Sequence, residues 1–391
     1  MNTIAAVTVG RSDFGIYRPV LRALLERGLL VVPVAGGSHL DKEAGYTIDE
    51  IREAGYPDIE TVDMSVASDE PEGIAKSMSL GVAGFAAVFG RRKPDTVLLL
   101  GDRFEMFAAA SAALPFAIPI AHIHGGELTE GAIDDQIRHA ITKMSHLHFV
   151  STDEHRRRVL QMGEEPWRVT VSGAPGLDNL QTIEYVDRAT LAAELDLDLD
   201  IDPLLVTFHP VTLEYGDTQK QIKELINVLR QVPRPIVLTY PNSDTHHHKI
   251  VDAIKAFAAK QANVSAVPSL GVRRYFSLMK ISAAMVGNSS SGIIEAASFG
   301  LPVVNIGSRQ AGRIRGTNVI DVECSHEQIE AAIVRATSIE FRAVASNVVN
   351  PYGNGNASRI IAGVIADAPD APILLRKKFC DLACPELGGY Q

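Results

Sequence analysis

The sequence has little cysteine, tryptophan or positive charge, and these shortages narrow the classes of protein to which it can belong. Its three cysteines, Cys324, Cys380 and Cys384, are too few and too far apart for a disulfide framework or a zinc ribbon. A formal net charge of −10 leaves no basic stripe for phosphates, so no nucleic-acid partner is expected. We find no apolar run of membrane-spanning length and no signal peptide, and therefore expect a cytoplasmic protein without a membrane partner.

What is present is typical of a globular α/β protein with more than one core. Hydrophobic residues make up 46% of the 391 residues and charged residues 21%. Predicted strands alternate with predicted helices in two series, which indicates two doubly wound, Rossmann-like domains. We place the domains at 1–173 and 174–356, with a crossover helix at about 357–372 that rejoins the first domain and a tail at 373–391. Two such domains are expected to form a cleft between their carboxyl sheet edges.

Two predicted strands, Thr96–Leu100 and Ile118–Ile123, flank a predicted helix at Phe104–Ala113. Strands joined by a helical crossover are parallel and usually neighbours, so their carboxyl ends meet at one sheet edge. Asp102 follows the first strand, and the turn His124–Glu127 follows the second. We therefore expect these residues to lie together, at the edge where open α/β sheets bind ligands.

Acidic residues recur along Gly101–His139, the stretch in which we expect the chemistry. Asp134 and Asp135 are predicted to precede a helix at Gln136–Leu147, where capping of free N–H groups is the alternative explanation for either one alone. Clustered carboxylates separate one another's pKa values, which suits a site that both removes and delivers protons. The cluster therefore favours acid/base catalysis.

Two glycine-bounded turns have the form of anion sites. Gly10–Gly15 follows the first predicted strand and contains Arg11, but it lacks the G-x-G-x-x-G fingerprint, which disfavours nicotinamide binding. Gly287–Gly292 holds three serines before a predicted helix, with Glu295 one turn on, and suits a diphosphate and a ribose. The alternative is a serine N-cap with Glu295 as its capping-box partner. Three neighbouring arginines favour the ligand: Arg309, Arg313 and Arg315.

Histidines in the sequence suggest either substrate contacts or metal ligands. His209 ends a predicted strand of the second domain, where it can reach a leaving phosphate. The run His246–His248 cannot chelate one ion, because adjacent helical residues point in different directions. A hydrolase metal site at His122, His124 and Glu127 is an alternative, but no further ligand-spaced set accompanies it. We therefore expect no metal.

Taken together, these motifs resemble the hydrolysing UDP-N-acetylglucosamine 2-epimerases and their relatives that act on UDP-N,N'-diacetylbacillosamine. The resemblance spans nearly the whole chain and both predicted domains. Its motifs, in order, are GRSDFG, GSHL (Gly37–Leu40), GDRFE, HIHGGE, DDQIRHAITK, HPVT, YPNSD, GNSSSGIIEAASFG and NIGSRQAGR.

This resemblance implies a glycosyltransferase B-type fold and a reaction that needs no cofactor. UDP is eliminated from C1 with loss of the C2 proton, and water adds to the 2-acetamidoglycal to give N-acetylmannosamine for sialic acid-type biosynthesis. The implied assembly is a homodimer or a dimer of dimers. The implied substrate contacts are Arg11, His39, Arg103, His209, Asn242, Ser289, Ser290, Glu295 and Arg309, and the implied acid/base residues are Asp102 and Asp134, with Asp13 as a further catalytic candidate.

One position departs from the pattern of several members of that family. They have a catalytic glutamate where this chain has His124, while other members share the HIHGGE form. His124 and Glu127 are therefore alternative candidates for the role of that glutamate.

Other functions remain as alternatives to hydrolysis of UDP-N-acetylglucosamine. The nearest is the same reaction on UDP-N,N'-diacetylbacillosamine, in legionaminic acid biosynthesis. A non-hydrolysing epimerase is disfavoured, because the HVEAG acid motif is absent. A glycosyltransferase of the same fold would pass the sugar to an acceptor, and a non-catalytic binder would not release UDP.

Overall fold

Two compact units make up the chain, and each is built on its own sheet. The computed structural model describes residues 2–41, 46–56, 58–66, 71–129, 133–211, 216–241 and 247–381. The first unit comprises residues 1–127, 133–179 and 355–391, and the second comprises mainly 180–354. The chain therefore returns to the first unit after completing most of the second.

All pairings between the described strands are parallel. The first sheet contains β1 (Thr3–Thr8), β2 (Leu30–Gly36), β3 (Glu60–Val62), β4 (Thr96–Leu100), β5 (Ile120–Ile123), β6 (Leu147–Val150) and β7 (Val169–Val171), in the order β3-β2-β1-β4-β5-β6-β7. The second contains β8 (Leu204–Thr207), β9 (Ile236–Thr239), β10 (Val264–Val267), β11 (Ala284–Gly287), β12 (Val303–Ile306) and β13 (Val319–Val322), in the order β10-β9-β8-β11-β12-β13. The order reverses between β1 and β4 and between β8 and β11, where doubly wound sheets bind ligands.

Helices connect successive strands of both sheets. They are α1 (Arg11–Glu26), α2 (Ile48–Glu53), α3 (Pro71–Arg92), α4 (Phe104–Ala113), α5 (Ile133–Met144), α6 (Asp153–Gln161), α7 (Asn179–Thr182), α8 (Arg188–Leu195), α9 (Thr218–Leu229), α10 (His247–Ala258), α11 (Gly271–Ile281), α12 (Ser290–Ile294), α13 (His326–Ala336), α14 (Ile339–Ser346), α15 (Ala357–Ala366) and α16 (Ala371–Leu374). Several of these helices have a side-chain N-cap. Thr152, Asp187 and Ser325 each accept a hydrogen bond from a backbone N–H in the first turn.

The predicted fold class, two doubly wound α/β domains, is confirmed by these sheets. Helix α1 begins at Arg11, so that Asp13 lies in its first turn. One helix start was predicted wrongly. Helix α5 begins at Ile133, so Asp134 and Asp135 lie inside the first turn rather than before the helix. Carboxylates are favourable there too, because the first-turn N–H groups carry partial positive charge.

Helix α3 is more apolar than the sequence-based analysis allowed. Over 18 residues its mean hydropathy is 1.4, and by length and composition it could cross a membrane, which corrects the expectation that no such run exists. Its charged residues lie near the helix ends, and a third of that window is buried in the first unit. Phe85 and Phe89 are buried, and Gly81 is so close to Met64 that a Cβ would lie 2.5 Å from that side chain's Cε. This packing accounts for part of its apolar composition.

The segment after α16, up to residue 381, is docked on the first unit through buried charges. Lys377 Nζ lies 2.9 Å from Glu164 Oε1, and Lys143 Nζ and His148 Nε2 contact the same carboxylate at 2.6 and 3.0 Å. Arg168 Nη1 donates to the carbonyl oxygen of Leu374 at 2.9 Å. Burial alone would raise the pKa of Glu164, but these hydrogen bonds outweigh it and hold the pKa at about 2.

Replacing Glu164 with glutamine should destabilise the first unit by about 3–5 kcal/mol, because buried cations lose their counter-charge. Urea unfolding followed by the fluorescence of Trp167, the only tryptophan in the sequence, measures the change. In the parent protein the contribution should be present above pH 4.5 and be lost as the pH falls toward about 2. The exposed Glu154→Gln, which loses an i,i+4 pair with Arg158, is the control and should cost under about 1 kcal/mol. Equal effects of the two substitutions would contradict the prediction.

Gly287 ends β11 at a point where no side chain fits. Its φ is +135°, and a Cβ there would lie 2.0 Å from the carbonyl oxygen of Thr207 on β8. Gly307 also has a positive φ, +73°, but a Cβ there would have nothing within 4 Å. The two positions therefore separate the cost of backbone strain from the cost of a steric clash.

We expect Gly287→Ala to lower the free energy of unfolding by about 3 kcal/mol or more, because β8 and β11 must move apart. Gly307→Ala should cost only about 1–2 kcal/mol, the strain of a left-handed non-glycine residue. Thermal unfolding followed by circular dichroism compares them. A smaller effect at Gly287 than at Gly307 would show that the sheet tolerates the side chain.

Candidate functional site

The carboxyl edge of the first sheet gathers most of the predicted site residues of that unit. Strand β1 pairs with β2 and β4, and β4 pairs with β5. Asp13 follows β1, His39 follows β2, and Asp102 and Arg103 follow β4. His124 comes directly after β5. The edge therefore presents acids, histidines and arginines from separate parts of the sequence.

Asp13 is buried beside Arg103. Arg103 Nε lies 3.7 Å from Asp13 Oδ2, and this oxygen has no hydrogen-bond partner among the residues that the structure describes. Burial raises the pKa of Asp13, although Arg103 works against that shift and Asp102 adds to it. Asp13 therefore gains a proton more readily than an exposed aspartate does.

Glu105 was not among the predicted site residues, yet it belongs to the same cluster. It lies in the first turn of α4 and is 6% exposed, and within the described parts of the chain its Oε2 has no hydrogen-bond partner. Burial raises its pKa, and the charges of Asp13 and Asp134 add to the shift. The signal that was available is the GDRFE motif itself, in which Glu105 follows Asp102 by one helical turn.

Asp102 is held by Arg138, a second residue that the sequence-based analysis missed. Arg138 lies on α5, is 2% exposed, and donates from Nη2 to Asp102 Oδ2. Burial alone would lower the pKa of Arg138, but the charges of nearby acids outweigh it, so the pKa is raised overall. The acids are, in order of effect, Asp102, Glu127, Asp135 and Asp134. The guanidinium therefore stays charged, and Asp102 is the acid that contacts it directly.

His124, Glu127 and Ser151 form a closed hydrogen-bonded set at the end of β5. His124 Nδ1 lies 2.6 Å from Glu127 Oε1 and 3.0 Å from Ser151 Oγ, and Ser151 Oγ donates to Glu127 Oε1 at 2.9 Å. Glu127 is 3% exposed. The backbone of His124 has a φ of +66°, which costs a non-glycine residue about 1–2 kcal/mol. The position of the His124 ring therefore comes with backbone strain.

Two further histidines of this edge are fully buried. His39 Nε2 lies 2.9 Å from Thr8 Oγ1 and its Nδ1 lies 2.8 Å from Thr47 Oγ1. Burial lowers the pKa of His39 to about 4 and that of His122 to about 3. His122 Nε2 contacts the carbonyl oxygen of Gly101 at 2.7 Å, which ties β5 to the turn after β4. Both rings are therefore neutral near pH 7.

Arg11 forms an ion pair with Glu50 on α2. Its Nε is 2.9 Å from Glu50 Oε1, and its side chain is half exposed. Within the described parts of the chain, no group of three histidine, cysteine, aspartate or glutamate side chains is arranged to hold a metal ion.

In the second unit, Asn288 joins the ends of β8 and β11. Its Oδ1 accepts from the backbone N–H of His209 at 2.7 Å, and its Nδ2 donates to the carbonyl oxygen of His209 at 2.9 Å. Arg309 Nη1 and Gln310 Nε2 donate to the carbonyl oxygen of Asn288 at 3.3 and 2.9 Å. Burial, reinforced by the charge of Arg309, lowers the pKa of His209 well below its ordinary value. The imidazole of His209 is therefore neutral.

The serine turn is the N-terminus of α12. Ser289 is its N-cap and accepts from the backbone N–H of Ser291, and Ser290 is the first helical residue. Glu295 follows the helix, six residues after the cap, so it is not the capping-box partner that the alternative required. Tyr275, missed in the sequence, places its hydroxyl against Ser289, Ser291 and Thr207, and burial raises its pKa.

The arginines near this turn are not equivalent. Arg315 Nε lies 2.7 Å from Asp321 Oδ2, so its charge has a partner within the second unit. Arg309 lies against the turn through Asn288. Asn242, the remaining predicted contact, lies outside the described residues. His248 is exposed on α10, as expected for its part of the histidine run.

Comparison with known proteins extends over nearly the whole chain. The family model described as UDP-N-acetylglucosamine 2-epimerase matches residues 23–366. The GDP/UDP-N,N'-diacetylbacillosamine 2-epimerase (hydrolyzing) of Campylobacter jejuni is 38% identical over 342 residues, which cover 87% of this chain and 88% of the relative. The polysialic acid biosynthesis protein P7 of Escherichia coli is 35% identical over 375 residues, 94% of each chain.

Solved structures agree on the fold. The crystal structure of UDP-GlcNAc 2-epimerase from Neisseria meningitidis bound to UDP-GlcNAc superposes with a TM-score of 0.82 at 19% identity, covering 94% of this chain and 100% of that chain. This likeness confirms the glycosyltransferase B-type fold class. Because the family model spans most of the sequence and both relatives exceed 30% identity, the chain belongs to the UDP-N-acetylglucosamine 2-epimerase family.

Proposed function

We propose that the chain is a hydrolysing UDP-sugar 2-epimerase that converts UDP-N-acetylglucosamine and water to N-acetylmannosamine and UDP, for the biosynthesis of sialic acid-type sugars. The observation that carries the proposal is the set of carboxylates around buried Arg138 at the carboxyl edge of the first sheet. Such a set can accept and return protons at one carbon. It requires no metal or cofactor.

In the elimination step, the C1–O bond breaks with its electron pair on the diphosphate, and the C2 proton passes to a carboxylate. We assign the two transfers at C2, removal and return, to Asp102 and Asp134. The negative charge that develops on the diphosphate needs cations and N–H donors. The proposed diphosphate and nucleoside contacts of the second unit are His209, Asn242, Ser289, Ser290, Glu295 and Arg309, with Arg11, His39 and Arg103 proposed as substrate contacts of the first unit and Asp13 as a further acid/base group.

UDP-N,N'-diacetylbacillosamine is the second candidate substrate. The relative from Campylobacter jejuni that is 38% identical is named for that sugar, whereas P7 of Escherichia coli, at 35%, is named for polysialic acid biosynthesis. The two sugars differ at positions that one or two side chains of a pocket can discriminate. The reaction at C1 and C2 is the same for both.

Incubation of the protein with each UDP-sugar in deuterated water tests the proposal. NMR should show free UDP and a free, C2-inverted sugar that carries deuterium at C2, since the returning proton comes from solvent. The sugar with the higher kcat/KM is the substrate. Transfer of the sugar to an added acceptor would instead indicate a glycosyltransferase. Binding without release of UDP would indicate a non-catalytic protein.

First-turn aspartates of two helices give a pair of variants. Asp134→Asn, on α5, should lower kcat by about 100-fold or more, because a proton-transfer group is lost. Asp153→Asn, at an exposed position in the first turn of α6, is the control and should stay within about threefold, because Asp153 is not among the carboxylates named around Arg138. Asp102→Asn should also lose at least about 100-fold. If Asp102→Asn kept the wild-type turnover, the assignment of Asp102 would be wrong.

A further inference from the structure

The contacts of His124 determine which of its ring nitrogens carries the proton. Nδ1 faces an oxygen of Glu127 at 2.6 Å, and a carboxylate can only accept a hydrogen bond. Ser151 Oγ already donates its own proton to that oxygen. Nδ1 is therefore the protonated nitrogen in the neutral ring, and Nε2 is left as a proton acceptor.

Backbone contacts hold the same ring on the sheet edge. The N–H of His124 donates to the carbonyl oxygen of Phe149 on β6 at 3.0 Å. Gly126 has a φ of +74°, and a Cβ there would lie 2.5 Å from the carbonyl oxygen of His155. The turn is thus fixed on both sides of His124, whose left-handed backbone would suit glycine or asparagine better. A purely structural residue at this position would not need to be histidine.

The proposed reaction has three proton transfers, and two carboxylates account for two of them. One proton leaves C2 in the elimination, one returns to C2 in the hydration, and one leaves the water that becomes the C1 hydroxyl. Asp102 and Asp134 are assigned to C2. Neither of these two assignments provides an acceptor for the proton of the attacking water, and Asp13, the further acid/base group, is assigned to none of the three transfers.

We propose that His124 Nε2 takes this proton, with Glu127 and Ser151 as positioning residues; this inference rests on the proposed function. In the step, the water oxygen bonds to C1 and one of its protons passes to Nε2. C2 takes a proton from a carboxylic acid, and the C1–C2 double bond becomes single. The imidazolium that forms lies against the Glu127 carboxylate, which stabilises it, and releases its proton to solvent when the product leaves.

The proposal assigns His124 to hydration and not to elimination. Substitution of His124 should therefore slow the formation of free sugar much more than the release of UDP. In His124→Gly and His124→Gln, release of UDP should fall less than tenfold, while formation of free sugar falls at least 100-fold and the 2-acetamidoglycal accumulates. Glu127→Gln should also slow the formation of free sugar more than the release of UDP, but by a smaller factor. A glutamine amide can donate a hydrogen bond to Nδ1 of His124, which favours the tautomer with its proton on Nε2. His248→Gln, at an exposed histidine, is the control.

Imidazole added to His124→Gly should restore formation of free sugar at least tenfold, since glycine suits the φ of +66° and leaves space for the ring. The glutamine variant provides the same partition measurement if the glycine variant does not fold. Parallel loss of UDP release and sugar formation, without accumulation of glycal or rescue by imidazole, would overturn the role of His124 and leave the proposed function standing. Absence of turnover by the wild-type protein would overturn both.

Discussion

The candidate site in the first unit depends on the buried ion pair between Arg138 and Asp102. A guanidinium that is withdrawn from water needs negative charge around it, and the fold provides that charge from the turn after β4 and from the first turn of α5. In return, the cation allows acids that would repel one another to occupy one sheet edge. Without Arg138, Asp102 and Asp134 would have an electrostatic reason to separate. With it, Asp102 has a direct ion-pair partner, and the charge of Asp134 is also balanced in part by the same cation.

In the second unit, hydrogen bonds between uncharged groups fix the carboxyl edge of the sheet. Asn288 bonds both backbone groups of His209, and glycine at position 287 lets β11 lie directly against Thr207. The imidazole of His209 is kept uncharged, so positive charge at this edge comes from arginine, which cannot be lost near pH 7. The two edges therefore differ in charge: the first gathers carboxylates around Arg138, and the second places Arg309 near a neutral His209.

The fold, and the placement of Asp102 and His124 at one sheet edge, were predictable because they follow from local patterns. Alternating apolar runs gave the strands, and the glycine-rich turns after them marked both sheet edges. Arg138, Glu105 and Tyr275 were missed because each lies inside a helix, where a polar residue on an inward face looks like one on the surface until the packing is known. The first residue of α5 was predicted wrongly because acidic residues are favoured both at the N-cap position and in the first turn that follows it. The contact between Lys377 and Glu164 joins residues 213 positions apart, and the sequence around either residue contains no pattern that predicts it.

That last contact has a consequence for the order in which the protein is made. The charges around Glu164 are complete only when Lys377 is present, and α15 packs against α1 from the opposite end of the sequence. During synthesis, the second unit has left the ribosome in full before the first unit receives its last helices. The first unit, although encoded first, is the one that is finished last, and until then it holds a buried carboxylate with part of its counter-charge missing.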